Sequence, residues 1–208
     1  SWSLPSLEVR EISVAYRQSR QLNDLARDII DAVGGTMQSV SLPAEVDSDV
    51  AAPVLLENSS NQATMVWLAE RIAEIERFVQ QLPSIAVFVN SEADVGPTAT
   101  ALEALLTDHN IPVMACHKGQ AVGQESSVRV FDIQHIKGLE FEAVFFLGVD
   151  RLAQLQPELF DKYIYVGITR AAAYFGLACE GVLPAQLAPV RHHFMADWKR
   201  GMQVAIAA

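Results

Sequence analysis

The chain has 208 residues, of which 50% are hydrophobic and 19% are charged, a composition that supports a packed core and excludes a disordered chain. Its formal net charge of −10 argues against a free-standing nucleic-acid-binding protein, because such a protein carries a basic surface for the phosphates. No apolar run reaches the roughly 18 residues that a membrane span requires. We therefore expect one domain over residues 1–208, with no membrane partner.

The predicted elements alternate between strands and helices along the chain. Strands are predicted at residues 8–15, 53–57, 84–90, 111–115, 128–133, 143–149 and 174–179. Helices are predicted at residues 19–33, 61–80, 99–109 and 157–172, with a weaker, peripheral C-terminal helix at 187–202 within the tail 187–208. This alternation predicts an α/β fold with a mainly parallel sheet covered on both faces.

Helical periodicity predicts which residues face the core. In the first helix they are Leu22, Leu25, Ala26, Ile29, Ile30 and Val33. In the second helix they are Val66, Ala69, Ile72, Ala73, Ile75 and Val79. Trp67 is also expected in the core, whereas the acidic segment 39–52 is expected to be a surface connection.

Few cysteine and histidine residues are placed to bind metal. Cys116 and Cys179 fit no standard ligand spacing, and isolated thiols are typical of a reducing cytoplasm. The pair His192–His193, with Asp197 nearby, is expected to be solvated. The sequence therefore predicts a cytoplasmic protein without a metal site of its own. The N-terminus has neither an initiator Met nor a signal-peptide pattern, so we expect a piece of a longer protein.

Several motifs of self-sufficient catalysis do not occur in the chain. It has no G-x-x-x-x-G-K-[ST] loop for a triphosphate, no dinucleotide-binding G-x-G-x-x-G, and no H-E-x-x-H. It also has no nucleophile elbow. Ligand-binding residues are therefore expected in polar clusters at strand ends, where open α/β sheets bind their ligands.

The first cluster is Tyr16-Arg17-Gln18-Ser19, directly after the first predicted strand. An aromatic ring can stack on a base, and a guanidinium can bind a phosphate through two nitrogens. The alternative is a plain helix start, in which Ser19 caps the first helix.

The second cluster is the segment 135–142, His-Ile-Lys-Gly-Leu-Glu-Phe-Glu, directly after a strand. Gly138 permits a sharp turn, while Lys137 and a carboxylate could hold a phosphate and a sugar hydroxyl. The alternative is a solvated turn with Leu139 and Phe141 packed into the core.

The third cluster is Tyr165-Val166-Gly167-Ile168-Thr169-Arg170-Ala171, near the end of a largely apolar helix. A charged residue is unexpected there. Arg170 either pairs with a buried carboxylate or is available for a ligand anion.

Taken in order, the three clusters resemble motifs of superfamily I helicases of the UvrD/Rep type. Tyr16–Ser19 is similar to the fourth motif, N-Y-R-S. Lys137–Phe141 matches K-G-L-E-F of the fifth motif, and Tyr165–Ala171 matches Y-V-A-x-T-R-A of the sixth with Gly167 for the usual Ala. The resemblance extends from Glu8 to Glu180, and it implies a RecA-like (P-loop NTPase-like) three-layer sandwich that lacks its own P-loop.

The resemblance also implies roles for single residues. Tyr16 would stack on adenine, Arg17 would contact the γ-phosphate, and Arg170 would be the arginine finger. Gly138 and Glu140 would shape the nucleotide-side loop, with Glu140 near the ribose. ATP with Mg²⁺ would be bound jointly with an N-terminal RecA-like domain of the same protein.

Two departures from the family pattern lie among the residues that would face DNA. Gln134 stands where the fifth motif commonly has His, with His135 one place later. Asn90 and Glu92 stand where the family often has Arg and Asn. Candidate DNA contacts are therefore Asn90, Gln134, His135 and Lys137. The family's large accessory domain, normally between these regions, has no counterpart here.

The sequence thus predicts the second motor domain of an ATP-dependent DNA helicase or translocase that acts on single-stranded DNA, with a role in DNA repair. The main alternative is a non-catalytic RecA-like module that binds a protein partner or regulates a neighbouring domain. A helicase-like ATPase acting on RNA or on a protein–DNA assembly is a further alternative.

Overall fold

The computed structural model of the chain describes residues 17–33, 42–46 and 50–198. The strands are β1 (Arg17–Ser19), β2 (Ala44–Val46), β3 (Val54–Leu56), β4 (Ile85–Val89), β5 (Val113–Cys116), β6 (Val128–Asp132), β7 (Phe141–Leu147) and β8 (Ala171–Ala178). The α-helices are α1 (Arg20–Val33), α2 (Asn61–Val79), α3 (Glu92–Leu106), α4 (Val149–Leu155) and α5 (Phe160–Thr169). Short 3-10 helices cover Thr107–His109, His117–Gly119, Ile133–His135 and Ala185–His193.

Within the described residues, the centre of the fold is a six-stranded sheet in the order β3-β8-β7-β4-β6-β5. Each of its neighbouring strand pairs is parallel. Helices cover both faces, since α2 and α3 pack on one side and α1, α4 and α5 on the other. This arrangement confirms the predicted RecA-like three-layer α/β fold.

Burial on both faces explains why the central strands are apolar along their whole length. Every residue of β4, Ile85 to Val89, is buried. Ile85, Val87 and Val89 join the cluster under α2 and α3, whereas Ala86 and Phe88 join the cluster under α1 and α5. Because successive strand residues point to opposite faces, a strand covered on both sides needs apolar residues at every position.

The segment 39–52, predicted as a surface connection, contains a strand. Residues Ala44–Val46 form β2, which pairs in parallel with β1 in a separate two-stranded sheet. The strand is short, and the acidic composition around it masks the pattern. The strand predicted at residues 8–15 lies outside the described part of the chain.

Most of the predicted helices occur in the structure, but their first and last residues and their buried faces differ in part from the prediction. α3 begins at Glu92, earlier than the predicted residue 99, and it contains Pro97 within its first two turns. The core face of α2 was predicted wrongly for Val66 and Val79, which are 41% and 37% exposed. Trp67 is buried, as predicted, and its ring packs edge-on against Phe145. The C-terminal helix predicted at 187–202 is, where described, a 3-10 helix over Ala185–His193.

The segment that links β6 to β7 crosses the sheet without an α-helix. It leaves the sheet at Asp132, the end of β6, and returns at Phe141, the start of β7, on the far side of β4. Ile133 and Ile136 hold it against the α1 and α5 face. An extended chain spans about 3.3 Å per residue, so residues 133–140 reach from one end of the strands to the other. This crossing segment (residues 133–140) therefore exposes residues at both ends of the sheet.

Candidate functional site

The predicted site residues lie at two opposite ends of the sheet. The amino edge is the end at which β7 and β8 begin, at Phe141 and Ala171. The carboxyl edge is the end at which β4, β6 and β7 finish, at Val89, Asp132 and Leu147. The sequence placed all three clusters where parallel strands end, and for the Glu140 and Arg170 positions this was wrong, because both residues directly precede a strand.

Glu140 and Arg170 lie side by side at the amino edge. Each immediately precedes one of two adjacent parallel strands, and the backbone N–H of Phe141 donates to the carbonyl of Arg170 at 2.9 Å. Partial burial raises the pKa of the Glu140 carboxyl, and the positive charge of Arg170 opposes that rise. The carboxylate of Glu140, beside Arg170, is thus an exposed one.

The hydroxyl of Thr169, the last residue of α5 before Arg170, is hydrogen-bonded within its own helix. The Thr169 hydroxyl donates to the carbonyl of Tyr165 at 2.8 Å, so it serves the last turn of α5. Gly167 gives that turn room, because a Cβ there would lie 2.6 Å from the buried Phe146 ring. The small residue at this position, where the resembled family usually has Ala, therefore has a packing cause in this chain.

Gln18 ties β1 to the same edge. Its side chain is fully buried, and its Nε2 donates to the carbonyls of Ile168 and Ala171, each at 2.9 Å. These two carbonyls lie on either side of Arg170. Arg17 is the preceding residue of the short strand, and its side chain is exposed. The structure therefore brings Glu140 and Arg170 to one edge and places Arg17 next to Gln18, which binds that edge, while Tyr16 lies outside the described residues.

Ser19 has the structural role that the sequence offered as an alternative for the first cluster. Its Oγ accepts a hydrogen bond from the N–H of Leu22 at 3.4 Å, in the first turn of α1. The cluster thus combines a helix start with an exposed cation.

The second cluster has the packing that its structural interpretation predicts, and it leaves Lys137 and Gly138 exposed. Phe141 is buried and Leu139 packs against the core, as expected for a structural turn. Lys137 and Gly138 are exposed, and Gly138 has a φ of 65°, which favours glycine. A Cβ at Gly138 would meet nothing within 4 Å, so the constraint there is the backbone conformation alone.

Asn90 and Gln134 meet at the carboxyl edge. The Gln134 Nε2 donates to the backbone carbonyl of Asn90 at 2.8 Å. The Asn90 Nδ2 donates to the carbonyl of Gly148 at 2.9 Å. Asn90 Oδ1 is buried and has no hydrogen-bond partner among the described residues. Such an acceptor is available for a donor that the chain itself does not supply.

A cleft of about 240 Å³ opens beside Asn90. Its walls come from α2, α3 and the ends of β4, β7 and β8, and its polar residues are Asn61, Thr64, Asn90, Asp94, Thr98, Arg151 and Glu180. Arg151 is a basic residue that the sequence prediction missed. It lies in α4, which begins at Val149 where the sequence predicted the end of a strand.

The imidazole of His135 lies near two carboxylates, rather than beside the side-chain amides of Gln134 and Asn90. Its Nε2 is 3.6 Å from Asp132 Oδ2 and 3.9 Å from Glu92 Oε2. Of the four candidate DNA contacts, the structure brings Asn90 and Gln134 into contact, places His135 next to this acidic pair, and leaves Lys137 exposed on the crossing segment.

A family model matches the part of the chain that contains the second and third clusters. Residues 127–178 match the model of the UvrD-like helicase C-terminal domain. This match confirms the resemblance drawn from the two motifs at Lys137–Phe141 and Tyr165–Ala171. No curated protein matches the chain.

Solved structures share the fold. The C-terminal domain of a possible DNA helicase from Lactobacillus plantarum WCFS1 superposes with a TM-score of 0.61 and 22% identity, over 86% of this chain and 95% of that one. A hypothetical ATP-dependent RNA helicase from Sulfolobus tokodaii gives a TM-score of 0.51 and 12% identity, over 84% of this chain and 56% of that one. The fold is therefore that of helicase C-terminal RecA-like domains.

Within the described residues, no helix is long and apolar enough to cross a membrane.

Proposed function

We propose that this chain, which carries the UvrD-like helicase C-terminal match, is the second motor domain of an ATP-dependent DNA helicase or translocase. It would complete an ATP site together with an N-terminal RecA-like domain of the same protein. It would also contribute to binding single-stranded DNA. A cytoplasmic role in DNA repair is part of this proposal.

The observation that carries the proposal is the set of residues at the amino edge. Arg170 lies there beside Glu140, and Arg17 adjoins Gln18, whose side chain binds the same edge. Guanidinium groups in a chain with a net charge of −10 suit a polyanionic ligand such as a triphosphate. A carboxylate next to them suits a sugar hydroxyl. Tyr16, one residue before Arg17, would stack on the base.

Arg170 would act as an arginine finger. When the bond to the γ-phosphate breaks, negative charge spreads over the phosphoryl oxygens, and a guanidinium that contacts them is worth about 10³–10⁵ in rate. ATP with Mg²⁺ would be held mainly by the other domain, because this chain has no phosphate-binding loop. An arginine on a separate domain makes hydrolysis depend on closure of the two domains, which couples chemistry to movement.

The carboxyl edge would carry the nucleic acid. Asn90 offers a buried, unpaired acceptor among the described residues, and Gln134 is fixed beside it. The adjoining cleft adds Arg151, and Lys137 is exposed on the crossing segment. Base edges and phosphates can be bound by amide and cationic groups of this kind. Single-stranded DNA at the carboxyl edge and ATP at the amino edge would each contact the crossing segment, because this segment reaches both edges.

The finger is tested by substitution in the full-length protein. Arg170→Ala should lower DNA-stimulated ATP hydrolysis by about 10³-fold or more with a much smaller change in nucleotide affinity. Arg170→Lys should rescue poorly, because an ammonium does not reproduce the planar guanidinium. Arg77→Ala, which removes an exposed arginine from the last turn of α2, is the matched control. Near-normal turnover by Arg170→Ala would show that this arginine is structural.

A second candidate function is a non-catalytic module that binds a protein partner. The acidic groups near Gln134, namely Glu92, Asp94 and Asp132, favour it because they repel phosphates. Fluorescence anisotropy with labelled single-stranded DNA and RNA separates the candidates. The full-length protein should bind DNA with a steep salt dependence, and the isolated chain only weakly. If the full-length protein binds neither nucleic acid better than the chain does, the partner-binding module is the better account.

A further inference from the structure

Glu92, Asp132 and His135 come together at the carboxyl edge from three different elements. Glu92 begins α3, Asp132 ends β6, and His135 lies in the 3-10 helix that follows. One ligand atom of each residue lies within 4.8 Å of the ligand atoms of the other two. His135 Nε2 is 3.6 Å from Asp132 Oδ2 and 3.9 Å from Glu92 Oε2, too far for hydrogen bonds.

Each carboxylate uses one oxygen to fix its orientation and turns the other toward the shared space. Asp132 Oδ1 accepts the backbone N–H of Gln134 at 3.0 Å, and the side chain is 3% exposed. Glu92 Oε1 accepts the backbone N–H of Lys118 at 2.6 Å and lies 3.2 Å from His117 Nδ1. The remaining oxygen, Glu92 Oε2, is buried without a hydrogen-bond partner in the described part of the chain.

Electrostatics makes this arrangement unfavourable for the protein alone. The Asp132 side chain is buried, and the carboxylates of Glu92 and Asp94 lie close to it. A carboxylate oxygen that is buried without a partner adds to the cost. A positive ion between the three ligand atoms would relieve both effects.

We propose that Glu92, Asp132 and His135 form a binding site for a first-row divalent transition-metal ion of the Zn²⁺ type. One imidazole and two carboxylates are ligands that such ions accept. Ligands at about 2.0–2.2 Å from a tetrahedral Zn²⁺ lie about 3.4 Å apart. This is close to the 3.6 and 3.9 Å that separate His135 Nε2 from the two carboxylate oxygens. His117 and the Lys118 N–H orient Glu92 from outside, as groups behind a metal ligand commonly do.

The ion would join the start of α3 to the end of β6 and the 3-10 helix that follows it, two segments that are distant in sequence. It would also cancel the two carboxylate charges beside Gln134. The site stands on its own residues and does not depend on the proposed nucleotide or nucleic-acid function.

The chain contains an internal control. Asp28, His192 and His193 also lie close enough to hold an ion. There, however, His193 Nε2 already bonds to Asp28 Oδ2 at 2.6 Å, and the two imidazole rings stack with centroids 4.3 Å apart. Asp28 and His193 thus bind each other directly without an ion.

The test is a titration of the chain with Co²⁺, followed by its visible absorption and by broadening of the histidine imidazole signals in NMR spectra. The wild type should bind one equivalent, displaced by Zn²⁺, with selective broadening of His135. Glu92→Gln and His135→Gln should each weaken binding by about 10-fold or more. Both residues are partly exposed, so these variants should fold, and their thermal melts without metal verify this. His192→Gln should bind Co²⁺ as the wild type does.

Three results would overturn the proposal. The first is the absence of Co²⁺ binding to the wild type at millimolar concentration. The second is unchanged affinity in both Glu92→Gln and His135→Gln. The third is loss of binding in His192→Gln with broadening confined to His192 and His193, which would place the ion at the other group.

Discussion

Gln18 should contribute more to the free energy of unfolding than any exposed residue of the first cluster. It is a fully buried amide whose Nε2 bonds to the carbonyls of Ile168 and Ala171, and whose Oε1 accepts from Asn23 Nδ2 at 3.3 Å. These contacts connect β1 to the turn that contains Arg170. Replacing Gln18 by alanine removes all of them from a site that water does not reach.

The expected size of the effect follows from the hydrogen bonds. Each net hydrogen bond contributes about 1 kcal/mol, and a buried carbonyl left unpaired costs about 1–3 kcal/mol. With two carbonyls affected, Gln18→Ala should lower the free energy of unfolding by about 2–4 kcal/mol, a large part of the typical total of about 5–15 kcal/mol. Gln18→Glu keeps the shape but replaces the donor by an oxygen that faces two carbonyls, so its loss should be at least as large.

Urea unfolding of the chain, followed by circular dichroism, measures these differences. Arg17→Ala is the control, since this neighbouring side chain is exposed and its removal should change the free energy of unfolding by only about 0.5 kcal/mol. A loss below about 1 kcal/mol in both Gln18 variants would refute the reasoning, because it would mean that the two carbonyls find other partners.

Three further predictions concern packing, capping and thiol reactivity. Gly167→Ala should destabilise the fold by about 1–3 kcal/mol in thermal melts despite the better helix propensity of alanine, because the new Cβ would lie 2.6 Å from the Phe146 ring; an unchanged melting temperature would contradict this. Asp150→Ala should cost about 1–3 kcal/mol in urea unfolding, because its two carboxylate oxygens accept consecutive backbone N–H groups after β8 at 3.1 and 2.8 Å, whereas Asp150→Asn should retain part of that stability. Burial raises the pKa of Cys179 to about 12 and also raises the pKa of Cys116, so both thiols stay protonated and shielded at neutral pH. A thiol-reactive dye should therefore label neither cysteine in the native chain and both in urea, and rapid labelling of the native chain would disprove the predicted burial.

The sequence was sufficient to predict the fold class and the second and third clusters. Runs such as Ile85–Val89 and Ala143–Leu147 are apolar at every position, which only a strand buried on both faces requires. The motifs at Lys137–Phe141 and Tyr165–Ala171 are local, so the residues that define them are adjacent along the chain. The helix face of α2 was less predictable. Val66 and Met65 are equally apolar, and only the packing of α2 against β7 and α3 decides that Met65 is buried and Val66 exposed.

What the sequence could not determine depends on contacts between residues that are far apart in the chain. Gln18 lies 150 residues from Ile168, so nothing local indicates that its amide supports the turn at Arg170. Glu92 and Asp132 likewise come from different elements, and their meeting with His135 follows from the parallel pairing of β4 with β6.

The tertiary structure also determines that the candidate site is divided between the two edges of the sheet. One continuous motif, from Gln134 to Glu140, is carried across the sheet by the crossing segment, so its first residue lies at the carboxyl edge and its last at the amino edge. The sequence determined which groups the chain offers, because propensity and motif are properties of neighbouring residues. Only the tertiary structure decided which of them share a surface, because parallel pairing brings together strand ends that the chain itself separates.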